Sequence, residues 1–157
     1  MLKLKKSLGQ NFLSDNNIIK KIIGLDNLKI KPKIGILGLN PHNDELRKMS
    51  EENKIILPAI KSLKKKKISV YGPLSPDTAF VDFKKKGFKV LVGMYHDQVL
   101  SPFKALFKFN AINITIGIPF IRISPDHGIG SDIVGKNIAN PTSLIESIKF
   151  FKKNDKT

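Results

Sequence analysis

Short apolar runs alternate with amphipathic helical segments from about residue 33 onward, and this alternation constrains the fold more than any other feature. Alternating strands and helices are typical of an α/β domain, in which helices cover a sheet. The sequence therefore predicts an α/β fold with a three-layer-like sheet flanked by helices. The runs that predict strands are KIGILGL, KISVYG, KVLVGMY, INITIGI and the shorter FIRIS.

Helices are indicated between and after these runs. Ser75–Asp77 predicts a helix start for PDTAFVDFKKK, and Gly87 should end it. Another helix, NKIILPAIKSLK, contains Pro58, which should kink or restart it because proline lacks a backbone N–H. The last helix, PTSLIESIKFFKK, has a capping-box spacing from Ser143 to Glu146.

The amino-acid composition excludes several classes of site. The chain has no cysteine, which rules out disulfides and thiolate metal sites and leaves three histidines and thirteen carboxylates as candidate ligands. No apolar run reaches the roughly 18 residues of a membrane span, and the N-terminus MLKLKKSLGQNF lacks a signal-peptide pattern. These features argue against a membrane and predict a cytoplasmic protein.

The formal net charge of +15 raises the question of a nucleic-acid partner, because lysine and arginine contacts to phosphate drive sequence-independent binding. Only Arg47 and Arg122 are arginines among the 28 basic residues, and arginine forks with stacked aromatic rings are what base recognition favours. The lysine runs at 64–67 and 84–86 are therefore interpreted as solvated helix ends. Nucleic acid is not expected as a partner.

Each of the three histidines lies just beyond an apolar run and has a carboxylate close in sequence: His42 in LGLNPHNDE, His96 in MYHDQ and His127 in SPDHG. Ligands of open α/β sheets bind outside the carboxyl ends of the strands. Neutral imidazole binds zinc or another divalent transition metal, and a nearby carboxylate can accept its second N–H. For each histidine alone, the alternative is a turn cap or a backbone hydrogen bond.

Four motifs in order, GLNPHNDE, YGPLSPDTAF, MYHDQVLSPFK and INITIGIPFIRISPDHGIGSDIVGK, resemble the C-terminal half of the 4-hydroxythreonine-4-phosphate dehydrogenase family. The resemblance covers residues 29–157 and implies an incomplete half of a two-domain, homodimeric α/β dehydrogenase. It further implies metal-dependent oxidation of 4-phosphohydroxy-L-threonine, a small phosphorylated amino acid, by NAD or NADP in pyridoxal phosphate (vitamin B6) biosynthesis. The implied divalent metal is zinc, cobalt or magnesium.

The resemblance also implies roles for residues at the metal. His42 in the NPH motif and His96 in the YHDQ motif match the family's metal ligands. Asp77 and Asp97 are candidates for supporting the metal ligands or for proton transfer, and a helix cap is the alternative for Asp77. The stretch GMYHDQVLSPFKALF places His96, Asp97 and Lys104 around a turn after an apolar strand.

Three further residues match the family's contacts to the phosphorylated substrate: Lys104, Asn113 and Arg122. Their ammonium, amide and guanidinium groups suit a phosphate dianion. The His127 motif is not carried over as a ligand. No G-x-G-x-x-G fingerprint follows a strand, so no cofactor-binding residue is predicted.

The first 28 residues resemble a different family, the ribosomal RNA adenine dimethyltransferases. The stretch KKSLGQNFLSDNNIIKKII matches their N-terminus, and Asn11 and Leu13 match positions that contact S-adenosylmethionine there. A basic helical segment is expected over residues 1–28, abutting the dehydrogenase-like part near residues 25–33. This junction suggests a truncated or fused chain. The alternatives are a methyltransferase fragment or other RNA-binding protein, and an inactive chimera.

Overall fold

The computed structural model describes residues 32–41, 48–115, 118 and 120–154, with only the backbone of Lys153 and Asn154. The chain divides into two compact units, Met1–Leu100 and Ser101–Thr157. This division falls inside the predicted 29–157 portion, whereas the predicted helical segment 1–28 lies outside the described residues. None of the helices in the described ranges is long and apolar enough to cross a membrane.

The first unit contains a parallel sheet of three strands: β1 (Lys33–Leu37), β2 (Val70–Leu74) and β3 (Phe88–Val92). Strand β1 is central and pairs with β2 on one side and β3 on the other. A Cβ on Gly35 of the central strand would lie 2.7 Å from the side chains of both Leu74 and Leu91. The absence of a side chain at Gly35 therefore lets the neighbouring strands place these leucines against the sheet.

A π-helical turn, Glu52–Ile56, leads directly into helix α1, Leu57–Lys65. Pro58 lies in the first turn of α1, where the π-helical turn gives way to the α-helix, so the predicted restart is confirmed. Residues of the turn and α1 bury their apolar side chains against the sheet. The core cluster of this unit consists of Ile34, Ile36, Ile56, Ile60 and Val70.

The helix predicted for PDTAFVDFKKK is wrong, because this segment forms a series of turns. Its backbone bonds change spacing: the Ala79 N–H donates to Ser75 O, whereas the Val81 N–H donates to Thr78 O. The Asp77 side chain accepts hydrogen bonds locally from Ser75 and Thr78, and such bonds compete with a helical backbone. Gly87, at a φ of 77°, ends the segment as expected.

Helix α2, His96–Phe107, was not predicted and begins where a turn was expected. It spans the division between the two units and carries His96, Asp97 and Lys104. Pro102 lies inside it, and a proline in that position argues for a break when only the sequence is considered.

The second unit contains an antiparallel pair, β4 (Ile112–Thr115) and β5 (Arg122–Pro125), and helix α3 (Thr142–Asn154), which packs against both strands. All five predicted strands are present, and the α/β class is confirmed. The separate two-stranded sheet was not predicted.

The capping box predicted for α3 is wrong. Asn140 Oδ1 accepts the N–H of Thr142 at 3.0 Å and so caps the start of the helix. The Ser143 hydroxyl instead donates to the Ala111 carbonyl and accepts the Asp126 N–H. Ser143 therefore joins the helix to the beginning of β4 and the end of β5.

Candidate functional site

The carboxyl ends of the three parallel strands lie at one edge of the sheet, which we call the carboxyl rim. Here the chain leaves β1 at Gly38–Pro41, β2 at Ser75–Asp77 and β3 at Gly93–Asp97. This edge is the usual ligand site of open α/β sheets. The topology thus brings the segments that carry Asp77, His96 and Asp97 to the same edge.

His96 and Asp97 form a hydrogen-bonded pair at this rim. The Nδ1 atom of His96 lies 2.7 Å from Oδ1 of Asp97, and the two side chains are 76% and 81% exposed. In the tautomer with the proton on Nδ1, the ring donates to the carboxylate and its Nε2 lone pair is directed away from that bond. Such a carboxylate partner is the common arrangement behind a metal-bound histidine.

His42, the other predicted metal ligand, lies outside the described residues. Within the described ranges, no group of three or more histidine or carboxylate side chains is placed to hold a metal ion. What is described at the rim, one imidazole with a carboxylate partner, fits the chemistry of a single metal ligand. The roles of His42 and His96 stay predictions.

Asp77 is an exposed carboxylate on the neighbouring segment. The Ser75 hydroxyl lies 2.7 Å from Asp77 Oδ1 and 2.8 Å from the Pro41 carbonyl oxygen, and its single proton serves one of them at a time. Hydrogen bonds from Ser75, and then from Thr78, hold the pKa of Asp77 below its ordinary value. Asp77 is therefore a hydrogen-bond acceptor near neutral pH. Because no helix starts here, the helix-cap alternative is wrong.

Two buried polar residues of the first unit were missed by the sequence reasoning. Glu52 is 3% exposed and Gln98 is 8% exposed. Burial acts to raise the pKa of Glu52, but hydrogen bonds from the backbone N–H groups of Asn40 and Leu39 help to bring it below its ordinary value. Both side chains contact the chain segment at the end of β1.

In the second unit, Asn113 and Arg122 lie on one face of the two-stranded sheet. Asn113 is opposite Ser124 and Thr115 is opposite Arg122, so these four side chains share a face. The Arg122 guanidinium donates to the Thr115 hydroxyl at 2.7 Å. The opposite face carries the apolar side chains of this pair: Ile112, Ile114 and Ile123.

Lys104 forms an ion pair with Asp126, with Nζ 3.0 Å from Oδ2 and both side chains partly buried. Asp126 was not predicted, although it lies in the quoted SPDHG motif. His127, next to it, is exposed; its Nδ1 lies 3.0 Å from the Gly128 carbonyl oxygen and its ring meets Phe109 at an edge. His127 thus makes the local contacts expected of a structural histidine.

These features define an α/β protein whose first unit has a parallel sheet with polar side chains at its carboxyl rim and whose second unit has a face bearing an amide and a guanidinium. Residues 10–151 match the family described as pyridoxal phosphate biosynthetic protein PdxA. The chain belongs to this family.

Several similar proteins are named 4-hydroxythreonine-4-phosphate dehydrogenase. The 4-hydroxythreonine-4-phosphate dehydrogenase of Sulfurihydrogenibium sp. (strain YO3AOP1) is 57% identical over 120 residues, covering 76% of this chain and 37% of the relative. That of Aquifex aeolicus (strain VF5) is 40% identical over 148 residues, covering 90% of this chain and 46% of the relative. A crystal structure of the Klebsiella pneumoniae enzyme matches with a TM-score of 0.66 and 36% identity, over 83% of this chain and 42% of that one.

The chain spans about a third to a half of the length of these relatives, between 37% and 46%. The family match begins at residue 10 and so extends into the segment 1–28. The comparisons do not show the methyltransferase resemblance predicted for that segment.

Proposed function

We propose that this chain contributes the metal-binding and phosphate-binding part of a 4-hydroxythreonine-4-phosphate dehydrogenase. The proposed reaction is oxidation of 4-phosphohydroxy-L-threonine with NAD or NADP in pyridoxal phosphate biosynthesis, by a cytoplasmic homodimer. The names of the relatives support the activity. The observation that carries the proposal is the His96–Asp97 pair at the carboxyl rim of a chain in this family.

His42 and His96 are the proposed metal ligands. Imidazole nitrogen suits zinc or cobalt better than magnesium, which prefers oxygen ligands. A bound divalent metal would polarise the substrate hydroxyl, and the nicotinamide would accept the hydride. Asp97 would favour the His96 tautomer with the proton on Nδ1, which leaves Nε2 for the metal, and the ionised Asp77 accepts hydrogen bonds at the same rim.

Lys104, Asn113 and Arg122 are the proposed contacts to the substrate phosphate. Asn113 and Arg122 share a face of the two-stranded sheet, and their groups are hydrogen-bond donors. The Asp126 carboxylate holds the Lys104 ammonium, which has three donors and so keeps others for a phosphate oxygen.

Zinc titration by calorimetry tests the metal part of the proposal. The wild-type chain should bind zinc, and His96→Ala and His42→Ala should abolish binding. His127→Ala is the matched control, because it removes an exposed histidine of the second unit and should leave zinc affinity unchanged. Equal affinity in wild type and His96→Ala would refute the assignment.

Reconstitution tests the reaction itself. The chain is mixed with the separately produced N-terminal half of the Aquifex aeolicus relative, and reduction of NAD or NADP is followed with 4-phosphohydroxy-L-threonine. Lys104→Ala and Arg122→Ala should raise KM for this substrate more than they lower kcat, because they remove binding contacts. The absence of any turnover in a mixture that binds zinc would count against the proposed reaction.

A further inference from the structure

The segment Gly38–Pro41, which follows β1, is held along its whole length by side chains from other elements. The contacts go to its backbone: Gln98 Nε2 donates to Gly38 O at 2.8 Å, and Ser75 Oγ lies 2.8 Å from Pro41 O. Between them, Glu52 Oε1 accepts the N–H groups of Leu39 and Asn40, each at 3.0 Å. Each of these four residues therefore has a side-chain partner for one of its backbone groups.

Glu52 is an unusual residue for this position, because a buried carboxylate is costly unless hydrogen bonds compensate for its lost hydration. Its two backbone contacts provide that compensation and keep its pKa below the ordinary value. Replacing a buried ion pair by well-packed apolar residues is often neutral or stabilising, whereas replacing Glu52 alone by an apolar residue would leave the Leu39 and Asn40 N–H groups without this acceptor. Glu52 also opens the π-helical turn, and π turns occur often at functional sites.

Gln98 ties two strand-end segments together. Its Oε1 accepts the Met94 N–H at 2.7 Å, while its Nε2 donates to Gly38 O. Met94 belongs to the segment after β3, and Gln98 follows His96 and Asp97 in the first turn of α2. One buried amide therefore fixes the start of the His96 segment against the end of β1.

We propose that Glu52 and Gln98 are positioning residues that set the spacing between the segment Gly38–Pro41 and the segment that carries His96. The inference rests on the proposed function, in which the metal ligands are His96 and His42, the residue that follows Pro41 in the sequence. Metal affinity depends on ligand spacing, and loss of residues that orient ligands typically weakens it about 10- to 100-fold.

Three variants test this role: Glu52→Ala, Glu52→Gln and Gln98→Ala. Zinc affinity should fall about 10- to 100-fold in Glu52→Ala and Gln98→Ala. Glu52→Gln should recover part of the loss, because its amide oxygen can accept the same two N–H groups, although more weakly than a carboxylate. Ile60→Val is the control, since it loosens the core of the same unit without touching the segment and should keep wild-type zinc affinity.

A merely structural role gives a different pattern. It predicts that Glu52→Ala and Gln98→Ala lower stability, as Ile60→Val does, while zinc affinity stays within about twofold of wild type. That result would overturn the inference. If Glu52→Ala fails to fold, the near-isosteric Glu52→Gln and Gln98→Ala decide the question by the same criterion.

Amide hydrogen exchange separates this inference from the proposed function. Measured without metal, the Leu39 and Asn40 amides should exchange at least tenfold faster in Glu52→Ala, which removes their acceptor, than in wild type, while core amides of β1 keep their protection. If the wild type binds no zinc, the proposed metal site fails and the exchange result alone decides whether Glu52 holds the segment. Unchanged exchange at both amides would overturn that role as well.

Discussion

Replacing Ser143 by alanine removes one hydroxyl that serves two backbone groups of the second unit. This side chain is 0% exposed; it donates to the Ala111 carbonyl and accepts the Asp126 N–H at 2.8 Å. A buried polar group left without its partner costs about 1–3 kcal/mol. Because Asp126 is only partly buried and water can reach it, we expect a total loss of about 2–4 kcal/mol of unfolding free energy.

Ser147→Ala is the matched control in the same helix. Ser147 is also buried, at 7% exposure, and its hydroxyl donates to the Ser143 carbonyl oxygen at 2.8 Å. In an α-helix that carbonyl also accepts the backbone N–H four residues later, so removing the hydroxyl leaves it satisfied. The expected cost is less than about 1 kcal/mol.

The measurement must report on the second unit alone. Both tyrosines, Tyr71 and Tyr95, lie in the first unit, so tyrosine fluorescence does not follow this region. Native-state hydrogen exchange of peptides from β4, β5 and α3 gives the local free energy directly. If Ser143→Ala and Ser147→Ala differ by less than about 0.5 kcal/mol, the assignment of Ser143 as the link between strands and helix is refuted.

Three further predictions concern other contacts. Burial acts to raise the pKa of Glu52, but hydrogen bonds from backbone N–H groups bring its folded-state pKa below the unfolded value. The ionised carboxylate therefore stabilises the fold above the ordinary glutamate pKa, and this stabilisation is lost as the pH falls through the folded-state pKa. Glu52→Gln should make the free energy of unfolding, measured by urea titration, depend less on pH below about pH 5. If Glu52→Gln leaves the pH dependence of the unfolding free energy unchanged, the lowered pKa of Glu52 is contradicted. Gly72→Ala should cost at least about 2 kcal/mol in thermal unfolding, because Gly72 has a φ of 143° and a Cβ would lie 2.3 Å from the Ile36 carbonyl oxygen; a wild-type melting temperature would disprove the clash. Asp126→Asn should destabilise the second unit by about 1–2 kcal/mol at low salt and by less at high salt, and a salt-independent effect would argue against the Lys104 ion pair.

The parts of the fold that follow local patterns could be predicted from the sequence. The apolar runs gave all five strands, and Pro58 gave the restart before α1, because both features depend on neighbouring residues. The same local reasoning failed at PDTAFVDFKKK, where helix-start residues bond to one another instead of to a helix. It also missed α2, because Pro102 lies inside this helix and a proline in the interior of a segment usually indicates a helix break.

In the candidate site, too, contacts between sequence neighbours could be predicted and contacts between distant residues could not. His96 and Asp97 are adjacent in sequence and could be predicted as a pair, whereas Gln98 and Gly38 are 60 residues apart. Glu52 reaches Leu39 across 13 residues and has no pattern that distinguishes it from an exposed helical glutamate. Contacts of this kind become visible only when the parallel order β2-β1-β3 is known.

The way the rim is held has a consequence for substitutions within it. Gln98, Glu52 and Ser75 all contact backbone atoms of the segment Gly38–Pro41, so these contacts do not depend on the side chains that the segment carries. Substituting the side chains of this segment should therefore change the chemical groups at the rim and leave the backbone conformation of Gly38–Pro41 unchanged. Changing one of the three supporting residues should instead move the backbone and weaken the contacts of this rim to the proposed metal together. We therefore expect the supporting residues of this rim to change the affinity for metal but not the preference for one metal over another. Zinc and cobalt titrations of Glu52→Gln should show both affinities reduced by a similar factor relative to wild type.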